Sequence, residues 1–90
     1  MLKIKIPGLL QQDANDSGDI DVEAKTIPEA IRELIKQCPQ LEQRLCDPEG
    51  RIKQYIRFYI NQEVIETDKY QSLSLRDDDL ISIIIPVAGG

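Results

Sequence analysis

The residues of this chain best suited to chemistry are its last two, Gly89 and Gly90. Two successive residues without Cβ can take almost any φ/ψ and can enter a channel too narrow for ordinary side chains. A segment of that kind can present its α-carboxylate to another protein's active site. A carboxylate is a poor acyl donor until its oxygen becomes part of a better leaving group, so the pattern implies a partner that holds ATP. On this reading the chain is substrate and carrier, and Val87-Ala88-Gly89-Gly90 is a flexible working tail.

The remaining chemistry is sparse. There is no histidine, hence no general base with an ordinary pKa near neutrality and no imidazole metal ligand. Cys38 and Cys46 are eight positions apart, a spacing of neither a metal knuckle nor a Cys-x-x-Cys redox pair, and are expected to fill the core or its boundary. Cys38 falls where a helix should end, and the dipole there disfavours a thiolate; Arg44 is near Cys46 in the chain. No metal site and no bound cofactor are expected, and ATP would be used by the activating partner.

Ninety residues with a formal charge of -5 and few aromatics carry neither a basic phosphate-tracking stripe nor a stacking platform, which disfavours nucleic acid. A basic protein surface is the better expected partner. No stretch approaches a membrane span, and Met1 to Ile6 alternates where a signal peptide would be uniformly apolar. A cytoplasmic monomer, one domain over residues 1–90, is expected.

The elements that must position the tail can be read from periodicity. Leu2, Ile4 and Ile6 alternate with Lys3 and Lys5 until Pro7-Gly8, and Ile20 with Val22 resumes the two-residue period after a polar connection over residues 11–18. Thr26-Ile27-Pro28-Glu29 has the form of a capping box with proline in the first turn. Ile27, Ile31, Leu34, Ile35 and Cys38 form one apolar stripe until Pro39, so a helix should lie across a sheet. Leu41 and Leu45 allow a second short helix before the turn Asp47-Pro48-Glu49-Gly50.

A strand is expected from Tyr55 towards Asn61-Gln62, with Ile56, Phe58 and Ile60 inward, then a short extended piece at Val64 and Ile65. After Asp77-Asp78-Asp79 the closing strand places Ile81, Ile83 and Ile85 on one face and Leu80, Ser82 and Ile84 on the other. A strand apolar on both faces is either flanked inside the sheet or bears a docking patch. The acidic run reads as a solvated turn, or as a steering element for a basic partner. The fold class is α+β, a mixed sheet with one main helix on one face and a second short one.

This order resembles the ubiquitin-like sulfur carriers of the MoaD/ThiS family, which includes the molybdopterin synthase small subunit and the thiamine sulfur carrier. The resemblance rests on the helix start at Thr26 to Glu29, the segment Arg44-Leu45-Cys46-Asp47-Pro48, the strand Tyr55 to Gln62, the acidic turn with the apolar strand after it, and Val87 to Gly90. The stretch from Arg44 to Gln62 is closer to the longer molybdopterin-type carriers, including those that feed a cysteine synthase.

The resemblance implies a β-grasp fold with first and last strands parallel at the sheet centre. It implies a non-catalytic carrier whose Gly90 carboxylate is adenylated by a ubiquitin-activating-type adenylyltransferase. A sulfur donor then converts the adenylate to a thiocarboxylate for a sulfur-accepting synthase, such as a molybdopterin synthase large subunit or a cysteine-synthase-like enzyme. The docking patch expected beside the tail is Arg57, Tyr59, Leu80 and Ile84, then Val87. The alternative is a ubiquitin-like modifier joined through Gly90 to lysines, and a third reading is a plain interaction domain. Two positions depart from the family pattern, which often has glycine at Asp78 and at Gln62. Gln62 implies a different turn there, since glutamine disfavours left-handed backbone.

Overall fold

The computed structural model describes residues 1–85. Five strands form one sheet: β1 (Leu2–Lys5), β2 (Asp19–Val22), β3 (Arg57–Ile60), β4 (Glu63–Ile65) and β5 (Leu80–Ile84), with α1 (Ile27–Gln37) and α2 (Glu42–Leu45) between β2 and β3. The order across the sheet is β2-β1-β5-β3-β4. β1 and β5 are parallel, whereas β1 with β2, β5 with β3 and β3 with β4 are antiparallel. This is the β-grasp arrangement, with first and last strands at the centre.

One face of the sheet is buried because each strand sends alternate residues to it. Leu2 and Ile4, Ile20 and Val22, Phe58 and Ile60, and Ile81 and Ile83 meet Ile27, Ala30, Ile31 and Leu34 of α1 in one apolar cluster. α1 starts where the capping box sets it: the Thr26 hydroxyl accepts from the Glu29 backbone N–H at 3.3 Å, and Lys36 stands in the last turn near the negative dipole end. Full burial of Ile27, Ile31 and Leu34 contributes roughly 2 kcal/mol each. Truncating Leu34, which has no exposed surface, would cost about 3 kcal/mol. Tyr70 closes the core, its ring edge-on to Phe58 at 5.1 Å.

Four features differ from the sequence reading. The connection between β1 and β2 is ordered: a 3₁₀ helix over Gly8–Ala14 buries Leu10 and Ala14, an i,i+4 apolar pair inside a polar stretch. β3 is shorter than residues 55–62, because strand pairing with β5 starts only at Arg57 opposite Ile84, and Gln54-Tyr55 is a turn.

The turn after β3 is a two-residue hairpin that keeps the left-handed backbone at Gln62, where a different turn was expected. Ile60 pairs with Glu63, and Asn61 (φ 50°) and Gln62 (φ 77°) are both left-handed. The β3–β4 register leaves room for two residues, so the hairpin imposes positive φ on a residue that disfavours it. Asp78, by contrast, lies outside that region, and glycine is not needed there.

The fourth difference is Asp79, which is only 8% exposed and is no part of a solvated run. Its Oδ2 accepts from the Arg76 backbone N–H at 2.8 Å, and its Oδ1 accepts from Asn61 Nδ2 at 2.9 Å. Asn61 Oδ1 in turn accepts from the Leu80 N–H at 2.9 Å. Because a buried carboxylate is costly unless hydrogen-bonded, the last aspartate of the run is spent on tying the β3–β4 hairpin to the start of β5.

Candidate functional site: the open sheet face and the root of the tail

The face of the sheet opposite α1 carries the outward residue of each strand. Register aligns them in rows: Asp21, Lys3 and Leu80; Asp19, Lys5, Ser82, Tyr59 and Val64; then Ile84 beside Arg57. The expected patch residues Arg57, Tyr59, Leu80 and Ile84 are thus brought together on the neighbouring strands β3 and β5. Both alternatives for the closing strand have a place in the geometry. β5 is flanked by β1 and β3, which half-buries Leu80, while Ile84 remains 41% exposed and Val64 is exposed at the edge strand.

β5 also gives the molecule a direction. The acidic turn feeds its first residue, Leu80, and the chain leaves it at Ile84-Ile85 towards Gly90. Val87, Ala88, Gly89 and Gly90, the expected working residues, lie outside the described residues.

At the exit end, a cleft of about 830 Å³ opens where three strand ends meet the helical layer. Leu9 and Leu10 follow β1, Ile85 follows β5, Lys53 and Tyr55 precede β3, and Gln40, Gln43 and Arg44 come from around α2. Leu9 is 61% and Tyr55 48% exposed, high values for large apolar surfaces beside a folded core.

The charges around this cleft are arranged unevenly. Arg44 Nε is 3.1 Å from Asp13 Oδ2. Lys53 Nζ donates to the Gln43 carbonyl at 2.8 Å and stands 5.9 Å above the Tyr55 ring. Arg57 donates to the carbonyls of Gln54 and Ile56. The ion pairs among the described residues are Lys36 with Glu33, Arg44 with Asp13, and Arg51 with Asp47, so neither Lys53 nor Arg57 has a carboxylate partner there.

Sequence reasoning missed the cleft. Its signals were the exposed Leu9 of a Leu-Leu pair after Pro7-Gly8 and the Lys53-x-Tyr55 spacing before the strand, each weak alone.

The two thiols are not activated. Burial at the end of α1 raises the Cys38 pKa. Burial also raises that of Cys46, with Glu42 and Asp47 adding to the rise and Lys53 opposing it. The Arg44 guanidinium is engaged with Asp13, and Lys53, the cation that does act on Cys46, is outweighed by burial and the two carboxylates. No described helix is long and apolar enough to cross a membrane.

Comparison with known proteins places this geometry. The model of the ThiS family matches residues 4–90, up to and including Gly90. The sulfur carrier protein CysO of Mycobacterium tuberculosis is 24% identical over 89 residues, covering 97% of this chain and 96% of its own. Among solved structures, one from the BexX/CysO complex of Amycolatopsis orientalis superposes with a TM-score of 0.86 at 22% identity over the whole of both chains. Small archaeal modifier protein 1 of Methanosarcina acetivorans also reaches 0.86, at 21% identity, over 99% of this chain and 95% of that one.

Proposed function

The chain belongs to the ThiS family, and from that premise we propose that it is a sulfur carrier whose Gly90 carboxylate is activated by a partner and converted to a thiocarboxylate. The observation that carries this reading is the reach of the family match to Gly90, together with a last strand that occupies the sheet centre.

The chemistry follows from what a carboxylate lacks. A Gly90 carboxylate oxygen attacks the α-phosphorus of ATP in the activating enzyme, the bond to pyrophosphate breaks, and an acyl adenylate forms. A sulfide equivalent from a sulfur donor attacks the acyl carbon, and AMP leaves with the C–O bonding pair. The resulting C–S⁻ group is a better nucleophile than the carboxylate and passes its sulfur to an acceptor synthase. The chain's own residues bind and position: Gly89 and Gly90 admit the tail to a narrow channel, while Arg57, Tyr59, Leu80 and Ile84 offer a docking face. CysO of A. orientalis was solved in complex with BexX, which supports a stable encounter between such a carrier and a synthase-type enzyme for this chain also.

The test is the intact mass of the protein purified from its native cell under non-reducing, thiol-free conditions, followed by fragmentation. A gain equal to one oxygen-to-sulfur exchange, located on Gly90, is the expected result. Added mass located on Met1, Cys38 or Cys46 instead would be oxidation. A free carboxylate accompanied by heavier isopeptide-linked species would replace this reading with that of a protein modifier.

A further inference from the structure

We propose that the cleft at the root of the tail is a second docking site, taken by an apolar side chain of the activating partner with a carboxylate beside it, the carboxylate pairing with Lys53. This rests on the carrier reading above. It adds Leu9, Tyr55 and Lys53 to the sheet-face residues, and it assigns the partner's chemistry at this place.

Three observations converge on it. The first is reach. Ile85 lines the cleft and five residues, 86–90, separate it from the reacting carboxyl, so an active site that holds Gly90 lies within about 17 Å of the cleft. An interface of ordinary size buries roughly 800 Å² per partner, a disc with a radius of about 16 Å. A partner gripping the tail at that distance extends over the cleft unless its surface falls away.

The second is shape and polarity. Exposed Leu9 and Tyr55 border a recess of about 830 Å³ whose floor reaches buried Leu10, space for a side chain of Leu or Phe size. Such a concave apolar site beside a rim charge is the kind that anchors an interface.

The third is charge. The whole chain is acidic at -5, yet Lys53 and Arg57 flank the exit of β5 and neither forms an ion pair with a described carboxylate, while Asp13 pairs with Arg44. Arg57 pairs across the sheet with the exposed Ile84 and Lys53 stands over the exposed Tyr55, so a partner that covers these apolar groups meets both cations. The partner surface facing them should therefore be acidic, the opposite of what net charge alone suggests.

The experiment uses the ATP-dependent activating enzyme fractionated from the source cell, followed by exchange of labelled pyrophosphate into ATP that depends on the added full-length chain. The variants are Lys53→Glu, Leu9→Ala and, as a distant charge reversal on α1, Lys36→Glu, each checked for an unchanged unfolding midpoint. The half-saturating chain concentration should rise about tenfold for Lys53→Glu and several-fold for Leu9→Ala, with maximal exchange nearly unchanged and Lys36→Glu like the parent. Added salt should raise that concentration more steeply for the parent than for Lys53→Glu.

Should Lys53→Glu perturb folding, Lys53→Gln and Leu9→Ala carry the same comparison. Parent-like exchange by Lys53 and Leu9 variants alike would overturn the cleft assignment and leave the carrier reading intact. Absence of any exchange with the parent chain would overturn the carrier reading, and this inference with it.

Discussion

The two ends of β5 are built on opposite terms. At the entry end a network of hydrogen bonds closes around buried Asp79: its carboxylate accepts from Arg76 and Asn61, Asn61 accepts from Leu80, and the Asp79 carbonyl accepts from the Lys3 N–H at 3.2 Å. At the exit end Ile84, Leu9 and Tyr55 are exposed, and two cations lack carboxylate partners among the described residues. The contrast separates what holds the fold from what is available to another molecule. A carrier needs a rigid base for its last strand and an unsatisfied surface where that strand hands over to the tail. Stability should therefore depend on the entry end and function on the exit end.

The sharpest break of that division is removal of Gly90 alone. Pyrophosphate exchange should vanish, because the new terminal carboxylate, on Gly89, stops one residue length, about 3.5 Å, short of the position that Gly90 reaches, while the thermal midpoint stays within a degree or two. A coincident fall in stability would show that the tail belongs to the fold and would dissolve the contrast.

Asp79→Ala should do the reverse. It removes the buried acceptor of two part-buried hydrogen bonds, from the Arg76 N–H and the Asn61 amide, at a cost of about 2 kcal/mol. For a domain of this size that lowers Tm by on the order of 10 °C. Exchange per folded molecule at low temperature should match the parent. Urea titration and the exchange assay on the same sample check both halves of the statement.

How far this division was legible beforehand differs between the two ends. Leu2 to Ile6, the stripe from Ile27 to Cys38, and Ile81 with Ile83 announced their elements because period 2 and period 3.6 are written directly in residue type. The parallel pairing of β1 with β5 is a long-range fact, and it came from the family resemblance. Arg57, Tyr59, Leu80 and Ile84 were legible as a patch because alternation fixes which face a strand residue takes.

What escaped was anything that depends on where separate segments meet. Asp79 looks like its neighbours Asp77 and Asp78 until Asn61 is brought beside it, 18 residues away in the chain. The cleft joins residues after β1, around α2, before β3 and after β5, and no local pattern encodes that meeting. Gln62 shows the converse error, since a local preference against positive φ lost to the register of a two-residue hairpin.

Gln62→Gly therefore sharpens the picture of the entry end. Relieving a left-handed glutamine at φ 77° should stabilise the domain by about 0.5–1 kcal/mol, the strain removed being partly offset by the greater freedom of glycine in the unfolded chain. The urea midpoint should rise with unchanged slope, and exchange should be unaffected. A drop in stability would mean that the hairpin has another conformation in solution.

The smallest effect is expected from the pair Asp77→Asn and Asp78→Asn, and it bears on whether the acidic turn steers the partner. Four steps along β5 separate Leu80 from Ile84, about 13 Å, so the turn sits beyond a Debye length of roughly 8 Å from the root of the tail at physiological salt. Asp79, the one member of the run with buried contacts, is untouched by the double change. Stability should move by less than about 0.5 kcal/mol, as for other exposed substitutions. The association rate with the activating enzyme should change less than twofold at physiological salt, whereas Lys53→Glu slows it clearly. A larger effect from the aspartates than from Lys53 would reverse the polarity assigned to β5, placing the partner's charged contacts at the turn.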